Sequence, residues 1–388
     1  MRVQAVILAG GPATGLGILS EHRSEASVPF AGKYRLIDFT LSNLANSGIS
    51  NVAILTQYRP HSLNEHIGSG RPWDLDRSDG GVRLLQPYIG RDAKGWQRGT
   101  ADSVYQNWRF FDPEADTFLI LSGDHIYTMD YRPMLREHDQ KDAEVTVAVN
   151  TVPAEVAHRY GIVGINAQYR ITHFWEKPKE PHGNLASMGV YVFKRRVLER
   201  ALAGEGGQRP VDFGREVFPK LIANARAFAY PFLGYFVDAG EIRPYWQAQM
   251  ALLTDDPPLD LYNPDWVVHT RSEERAPVKT TPGALVHHSF VSNGCQIEGT
   301  VESSVLSPGV VVEPGAVVRN AIIMTDSVIG AGAVVEYAII DKLVHVGAGA
   351  RIGGGNESSL ALIGKGARVP EGVTVAPKAV VQPGATAA

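Results

Sequence analysis

The C-terminal third of the chain carries aliphatic residues at intervals of six, and this period restricts the possible folds more than any other feature. Side chains repeat every two residues along a strand and every 3.6 along a helix, so neither element produces the pattern. Hexapeptide repeats are the signature of a parallel β-helix, in which one aliphatic residue of each hexad points into the core. The repeating positions are Val305, Val311, Val317, Ile323, Ile329 and Val335 in one series, Val328, Val334, Ile340, Val346 and Ile352 in a second, and Ile363, Val369, Val375 and Val381 after a glycine-rich insertion. We therefore expect a β-helix over residues 286–382, followed by a tail at 383–388.

Glycine is the expected residue at the corners of these coils, as in Pro314-Gly315. Its share of the chain, 40 of 388 residues or about 10%, exceeds the usual value of roughly 7%. Stacked coils bury a long apolar column and commonly mediate contacts between subunits. The repeats alone leave open whether this domain also binds a ligand directly.

The first 253 residues have a different pattern, in which short apolar runs alternate with longer mixed segments. Such alternation is typical of an α/β domain with a mostly parallel sheet. The predicted strands are 5–8, 52–55, 118–121, 145–149, 162–165, 189–193 and 227–231, and the predicted helices are 35–46, 62–67, 101–108, 133–141 and 213–223. A charged, proline-broken stretch at 254–264 ends the pattern. We therefore predict one domain at 1–253 and a linker at 254–285.

Charge and cysteine content exclude several classes of function. The chain has 37 Lys and Arg against 41 Asp and Glu, a net charge of -4, so it has no basic field for binding nucleic acid or an acidic membrane. A single cysteine, Cys295, excludes an intrachain disulfide and a cysteine-based zinc site and suits a reducing compartment. Because there is no signal-like N-terminus and no apolar run of about 18 residues, we expect a cytoplasmic protein.

A glycine-rich loop follows the first predicted strand at residues 8–17. Glycines in such a place let backbone N–H groups approach a phosphate closely. The loop is neither a Walker loop nor a dinucleotide-binding fingerprint, and by itself it is also consistent with a tight turn.

Further motifs follow in a definite order, at residues 32–39, 98–104, 122–127, 175–178, 186–193, 212–214 and 236–240. With the glycine-rich loop, their order and spacing resemble the ADP-glucose pyrophosphorylases, or glucose-1-phosphate adenylyltransferases, of the sugar-nucleotide pyrophosphorylase superfamily. The resemblance runs from residue 3 to at least 350. It implies a Rossmann-like nucleotidyltransferase domain, with a mostly parallel mixed sheet, joined to a C-terminal left-handed β-helix.

The resemblance also implies an activity. The family reaction converts ATP and glucose 1-phosphate into ADP-glucose and pyrophosphate, a step of glycogen synthesis. Mannose-1-phosphate guanylyltransferase is the rival family, because it shares both domain types. Residues 32–39 and 123–127 look more like the adenylyl enzymes.

Site residues can be carried over position by position. Asp124 follows an apolar run, at the carboxyl end of a predicted strand, where sheets of this kind bind ligands. The resemblance implies that Asp124 is the catalytic Mg2+ carboxylate, that Asp238 is a second ligand of the metal, and that Lys177 holds the phosphate of glucose 1-phosphate. The other sugar-phosphate-binding positions are Gly161, Glu176, Ser187 and Asp212, and the nucleotide-binding positions are Leu8, Ala9, Gly10, Gly11, Gln86, Gly99, Thr100 and Asp102. Taken alone, Asp124 could be a solvated carboxylate and Glu176-Lys177 a surface pair.

The chain departs from the family in the nucleotide loop. Active members read Gly-Gly-x-Gly-Thr-Arg-Leu and then Arg-Ala-Lys-Pro-Ala-Val, whereas this chain has Gly15 for the arginine, Glu25 for the lysine and Ala13 for a loop glycine. Two cations are lost, and one becomes an anion. Loss of one donor to a transition state typically lowers the rate about 10²- to 10³-fold, so the chain acting alone is expected to be a poor catalyst.

Two interpretations follow. In the first, the chain is a working enzyme in which Arg23, Lys33 or Arg98 supplies the missing charge. In the second, it is a regulatory subunit paired with an active homologue. The resemblance implies a homo- or hetero-tetramer in either case.

An allosteric sugar-phosphate or phosphate effector is also implied by the resemblance. Its candidate cations are Arg35, Arg319 and Lys342, although each of them taken alone fits an exposed surface charge better.

Overall fold

Two units share the chain, and neither is a continuous stretch of it. The computed structural model describes residues 1–11, 14–88, 95–204 and 208–388. The first unit, here called the sheet unit, comprises the described residues within Met1–Pro12, Phe39–Phe236 and Pro264–His269. The second, the repeat unit, comprises those within Ala13–Asp38, Val237–Asn263 and Thr270–Ala388. The predicted boundaries at 253 and 285 divide the chain by sequence order, a different criterion from spatial contact, and they stay predictions.

The sheet unit is built on a nine-stranded mixed sheet. Its strands are β1 (Val3–Ala9), β2 (Asn51–Thr56), β3 (Gly81–Leu85), β4 (Thr117–Ser122), β5 (Val145–Thr151), β6 (Gly161–Ile165), β7 (Ile171–Glu176), β8 (Leu185–Lys194) and β9 (Ala227–Pro231). They are ordered β7-β6-β8-β4-β1-β2-β3, and β5 pairs with both β8 and β9. The pairs β4-β1, β1-β2 and β2-β3 are parallel, whereas β8 is antiparallel to β4. The central parallel strands therefore end at one edge of the sheet.

Helices and short strands complete the chain. The helices are α1 (Leu36–Asn46), α2 (His61–Ile67), α3 (Thr100–Asn107), α4 (Tyr131–Gln140), α5 (Arg195–Ala203), α6 (Phe218–Asn224) and α7 (Ile242–Ala251). Short strands lie at Pro29–Phe30, Tyr34–Arg35, His125–Tyr127 and Phe236–Asp238, and a π-helical turn at Phe213–Val217 precedes α6. Within the described ranges, no helix is long and apolar enough to span a membrane.

All seven strands predicted for the first domain are present, but β3 and β7 were not predicted. In β7 only Ile171 and Phe174 are buried, because an antiparallel strand can keep one face in solvent and so lacks a continuous apolar run. Helices α5 and α7 were not predicted either. In α5 the apolar residues are spaced to bury one face, marked by Val197, Leu198 and Leu202, between charged residues.

The repeat unit contains three parallel sheets of six strands each. The first sheet is Lys279–Thr280, Gln296–Ile297, Val311–Val312, Val328–Ile329, His345–Val346 and Arg368–Val369; the second is Leu285–His287, Thr300–Glu302, Val317–Arg319, Val334–Glu336, Arg351–Gly353 and Thr374–Val375; the third is Phe290–Val291, Val305–Leu306, Ile322–Ile323, Ala338–Ile340, Ala361–Ile363 and Val380–Val381. Successive strands of one sheet come from successive turns of the chain. This arrangement is the predicted left-handed β-helix.

The strict period of six was wrong in one respect. Val311 is aligned with Val328, and Val328 with His345, so each of these two turns takes 17 residues, one fewer than three hexads. One side of each of these turns is therefore shorter, and the inward position moves by one residue. The buried column consists of Val301, Leu306, Val312, Val318, Ile323, Ile329, Val335, Ile340, Val346 and Ile352. The predicted inward residues Val311, Val317, Val328 and Val334 are instead only half-buried.

Helix α7 is attached to the coils of the same unit. The insertion after Gly353 carries Glu357, which accepts hydrogen bonds from Arg243 and, at 3.2 Å, from Gln247. Trp246 Nε1 donates to the carbonyl of Asn320 at 3.1 Å. These contacts explain why a helix that precedes the repeats in sequence packs with them.

Candidate active site

The strand ends of β1 and β4 bring Asp124 beside the start of the glycine-rich loop. Leu8 is aligned with Ser122, and the N–H of Gly123 donates to the carbonyl of Leu8 at 3.1 Å. A Cβ at position 123 would lie only 3.1 Å from Ile7 Cγ2, so glycine permits this close approach. The predicted residues Leu8, Ala9, Gly10 and Gly11 therefore end next to the segment that carries Asp124.

Asp124 is accessible and held by its neighbours. Its Oδ1 accepts a hydrogen bond from Ser122 Oγ and lies 3.6 Å from His125 Nε2. The other ring nitrogen of His125 lies 3.0 Å from the carbonyl oxygen of Met188, which fixes the ring. About a quarter of the Asp124 side chain, 26%, is exposed, so a cation can reach it.

Gln57 contacts the predicted nucleotide loop, and the sequence analysis gave it no role. Its Oε1 accepts from Gln97 N at 2.7 Å, while its Nε2 donates to the carbonyl of Gln97 at 2.9 Å. A Cβ at Gly10 would lie 3.1 Å from the backbone nitrogen of Gln57. Gln57 thus joins the glycine-rich loop to the segment before α3. Its place in a Thr-Gln-Tyr run directly after β2 was the available signal.

The other predicted nucleotide positions lie in two places. Gln86 is exposed just beyond the end of β3. Asp102, in the first turn of α3, is 3% exposed and accepts hydrogen bonds from Arg98 N and Gln106 Nε2, both at 2.8 Å. The hydrogen bonds of Asp102 are therefore local, to residues four positions before and after it. Arg98, a candidate substitute cation, is paired with Asp102 at 3.0 Å.

Glycines surround the carboxylate of Glu176, a predicted sugar-binding residue. Glu176, the last residue of β7, is aligned with Gly161 at the start of β6. A Cβ at Gly161 would lie 3.0 Å from Glu176 Oε2, and one at Gly214 would collide with the same oxygen and lie 3.1 Å from Glu176 Cγ. Burial, and next the charge of Asp212, raise the pKa of Glu176 above its ordinary value. The Glu176 carboxylate therefore lies against the segment that carries Asp212 and Gly214.

Lys177 leaves the strand in an unusual backbone conformation. Its φ is 45°, in the left-handed region that costs a residue with a side chain roughly 1–2 kcal/mol. Its N–H donates to the carbonyl of Tyr160 at 3.2 Å, and its side chain is exposed. The ammonium group is thus available beside the Glu176 carboxylate.

Ser187 and Asp212 complete the predicted sugar side. Ser187 is 7% exposed, donates to Tyr191 Oη at 3.3 Å and accepts from Gly189 N at 3.4 Å, where β8 has a bulge. Asp212 accepts from Thr100 Oγ1 at 3.1 Å and from Arg215 N at 3.0 Å. The structure therefore brings the predicted sugar and nucleotide residues together at Thr100.

Other predicted residues belong to the repeat unit. Asp238 Oδ1 accepts a hydrogen bond from Gly240 N at 2.9 Å. Gly15 packs against the same turn, since a Cβ there would collide with the carbonyl oxygen of Gly240. Ala13 lies outside the described residues.

The candidate substitute cation Arg23 already forms an ion pair within the protein. Its Nη2 donates to both carboxylate oxygens of Asp341 at 2.8 and 2.9 Å, and the two side chains are 5% and 1% exposed. A buried ion pair of this kind leaves no charge for a substrate. Lys33, the third candidate, is exposed, and its Nζ lies 5.3 Å from the ring centre of Tyr34.

The three effector candidates differ in their surroundings. Arg319 is exposed and paired with Glu302 and Glu336 at 3.0 and 3.1 Å. Lys342 is half-buried instead of exposed, and burial, Arg35 and Arg23 lower its pKa to about 8. Arg35 is likewise half-buried.

Two family models match this chain. The model described as nucleotidyl transferase matches residues 4–255, and the one described as GlmU-like, C-terminal hexapeptide, matches residues 278–376. The glucose-1-phosphate adenylyltransferase of Thermomicrobium roseum is 52% identical over 344 residues, which cover 83% of this chain and 80% of the relative. The chain belongs to the glucose-1-phosphate adenylyltransferase family.

Two further members of this family have similar values. The glucose-1-phosphate adenylyltransferase of Fervidobacterium nodosum is 46% identical over 326 residues, covering 83% of this chain and 79% of the relative. That of Thermotoga maritima is 47% identical over 320 residues, covering 81% and 76%. Membership confirms the resemblance, the class of nucleotidyltransferase enzymes and the fold class, namely a nucleotidyltransferase domain followed by a hexapeptide-repeat β-helix.

Proposed function

We propose that this member of the adenylyltransferase family forms ADP-glucose and pyrophosphate from ATP and glucose 1-phosphate. The observation that carries the proposal is the arrangement of two groups of residues in the sheet unit. Gly10, Gly11 and Asp124 lie at the ends of β1 and β4, and the Glu176 carboxylate lies against the segment that carries Asp212 and Gly214. The relatives named above carry the adenylyl and not the guanylyl name.

The reaction needs positioning and neutralisation of charge more than covalent chemistry. A phosphate oxygen of glucose 1-phosphate attacks the α-phosphorus of ATP, and the bond to the β-phosphate oxygen breaks, so that pyrophosphate leaves with the electron pair. The N–H groups of Gly10 and Gly11 suit the nucleotide phosphates. The Lys177 ammonium suits the sugar phosphate. Glu176 and Asp212 can accept hydrogen bonds from sugar hydroxyls.

Asp124 fits a Mg2+ ion, the metal that the resemblance implies. Mg2+ is usually bound by one or two carboxylates together with water and substrate phosphates, so it needs no cage of protein ligands. Among the residues that the structure describes, no group of three or more His, Cys, Asp or Glu side chains could hold a metal ion, whereas Asp124 offers one accessible carboxylate. When bound there, Mg2+ would neutralise charge on the phosphates. Asp238 as a second ligand stays a prediction of the resemblance.

The absence of two family cations supports weak catalysis by the chain alone. Gly15 and Glu25 replace an arginine and a lysine, and Arg23 and Arg98 are paired with carboxylates. A regulatory subunit that assembles with an active homologue into a tetramer is therefore part of the proposal. The sugar-phosphate or phosphate effector and the cytoplasmic location also stay predictions.

The test measures pyrophosphate release from the purified chain with ATP, glucose 1-phosphate and Mg2+, and ADP-glucose binding by calorimetry. We expect measurable binding and slow turnover, and we expect Asp124→Asn to lower the remaining turnover at least 100-fold, the scale of losing a group that stabilises charge in a transition state. Asp76→Asn, which changes an exposed aspartate of the same unit, is the matched control and should behave as wild type. Undiminished turnover in Asp124→Asn, or a wild-type chain that binds no ADP-glucose, would contradict the proposal.

A further inference from the structure

The hydroxyl of Thr100 stands between two segments that the sequence assigned to different substrates. Its Oγ1 donates to Asp212 Oδ2 at 3.1 Å and accepts from the backbone N–H of Phe213 at 3.0 Å. A threonine hydroxyl has one proton to donate, and here that proton is used for the Asp212 carboxylate. Thr100 therefore contacts the sugar side, although its motif was assigned to the nucleotide.

The backbone N–H groups that follow Thr100 donate to the same segment, which contains Val211 and Asp212. The N–H groups of Ala101 and Asp102 both donate to the carbonyl of Val211, at 2.9 and 3.2 Å. The first N–H groups of a helix have no partner inside it and commonly bind an anion or another acceptor. In α3 two of them are occupied by a protein carbonyl, so they are not free for a nucleotide phosphate.

Gly99 permits this close contact. A Cβ at position 99 would lie 2.7 Å from the carbonyl oxygen and 2.8 Å from Cγ1 of Val211. Real Cβ atoms essentially never approach another heavy atom within 3.0 Å, so a larger residue would push the two segments apart. Gly99 and Thr100 together hold the segment around Asp212 against the start of α3.

The orientation of Asp212 matters because of its neighbour. Its two oxygens are held separately, Oδ1 by Arg215 N at 3.0 Å and Oδ2 by Thr100 at 3.1 Å. The carboxylate of Glu176 is near enough for the charge of Asp212 to act on it, and Gly161 and Gly214 enclose it from the other sides. Two carboxylates held close together in this way repel one another and would turn apart without donors to fix them.

We propose that Thr100 is a positioning residue of the sugar-phosphate site, which acts by holding Asp212 beside Glu176, and that it does not bind the nucleotide. The inference rests on the proposed function, because it assumes that Glu176 and Asp212 bind the sugar. It reassigns the side chain of Thr100 from the nucleotide to the other substrate, and Gly99 and Asp102 stay predicted nucleotide positions.

The test compares the binding of ADP-glucose with the binding of ATP, both by calorimetry, so that it does not depend on turnover. Thr100→Val keeps the shape of the side chain and removes the hydroxyl, and Thr100→Ser restores the hydroxyl. Ser103→Ala is the matched control, since Ser103 donates to the carbonyl of Thr100 at 2.9 Å in the same helix but does not bond to Asp212. We expect Thr100→Val to weaken ADP-glucose about tenfold and to leave ATP unchanged, with Thr100→Ser within about twofold of wild type and Ser103→Ala equal to wild type.

A second measurement separates positioning from a general loss of structure. In an Asp212→Ala background, Thr100→Val should weaken ADP-glucose no further, because the residue through which Thr100 acts is gone. Equal weakening of ATP and ADP-glucose, unchanged ADP-glucose binding in Thr100→Val, or additive effects with Asp212→Ala would overturn the inference. If Thr100→Val fails to fold, Thr100→Ser still tests the inference. A tenfold loss of ADP-glucose binding in Thr100→Ser would also overturn the inference. A wild-type chain that binds no ADP-glucose would instead refute the proposed function.

Discussion

Gly15 occupies the place where active family members have an arginine, and the structure gives this glycine a packing role. A Cβ at position 15 would collide with the carbonyl oxygen of Gly240 and lie 3.0 Å from its carbonyl carbon, the limit that real Cβ atoms keep. Gly240 N also donates to Asp238 Oδ1 at 2.9 Å. A larger residue at position 15 would therefore shift the turn that holds a predicted metal ligand.

Gly15→Arg consequently has two opposing effects. The added cation could recover part of the roughly 10²- to 10³-fold in rate that one transition-state donor provides. The added Cβ overpacks the turn, at a cost of about 1–3 kcal/mol in the free energy of unfolding. At about 2–4 °C per kcal/mol, the melting temperature should fall by roughly 2 to 12 °C. Gly15→Ala carries the same Cβ without the charge, so the difference between the two variants isolates the effect of the cation.

The assay combines thermal unfolding with pyrophosphate release for Gly15→Ala, Gly15→Arg and Gly15→Arg combined with Glu25→Lys. We expect both single variants to melt below wild type, and we expect only those with new cations to gain turnover. Turnover gained without any loss of stability would mean that the close approach to Gly240 is absent. A wild-type melting temperature for Gly15→Ala would refute the close approach to Gly240 directly. If turnover does not rise in the double variant, the missing-cation explanation is refuted.

Two further predictions concern stability. His138 is 2% exposed, and burial, then Lys194, lower its pKa to about 4 from 6.5, so the unfolded chain takes up a proton that the folded chain excludes. The contribution of His138 to the free energy of unfolding should be constant above about pH 6.5 and should fall by about 3 kcal/mol as the pH drops towards 4, as measured by urea titrations. His138→Gln should flatten this dependence. An equally steep curve in the variant would contradict the role of His138. Arg23→Met leaves Asp341, whose side chain is 1% exposed, without its cation. The variant should lower the free energy of unfolding by about 3–5 kcal/mol, and adding Asp341→Asn should recover part of this loss. A loss below about 1 kcal/mol would show that the pair contributes little to stability.

The apolar pattern predicted most of the fold because burial is visible in a single sequence. The predicted strands of the sheet unit are short apolar runs, and all of them are present. Strand β7 lacks such a run, since only Ile171 and Phe174 are buried in it. The hexad period likewise indicated the β-helix but not its 17-residue turn, because an inward valine and its half-buried neighbour, such as Val312 and Val311, are the same residue type.

The placement of some candidate site residues could be predicted for a similar reason. Asp124 and Glu176 stand at strand ends, a position that sequence periodicity reveals. The role of Gln57 depends on two reciprocal hydrogen bonds to Gln97, forty residues away, and no local pattern encodes such a partner. The sequence does not reveal that Arg23 is paired, because its partner Asp341 lies 318 residues further along the chain.

The sequence by itself determined the two architectures, the family and the loss of two loop cations, because side-chain periodicity and residue identity are local properties. Only the tertiary structure decided how those residues are used. It showed that Arg23 is neutralised by Asp341, that Gly15 packs on Gly240, and that Thr100 bonds to Asp212. The physical reason is that a charge, a hydroxyl or an absent Cβ acts through its nearest neighbours, and chain folding brings those neighbours from distant parts of the sequence.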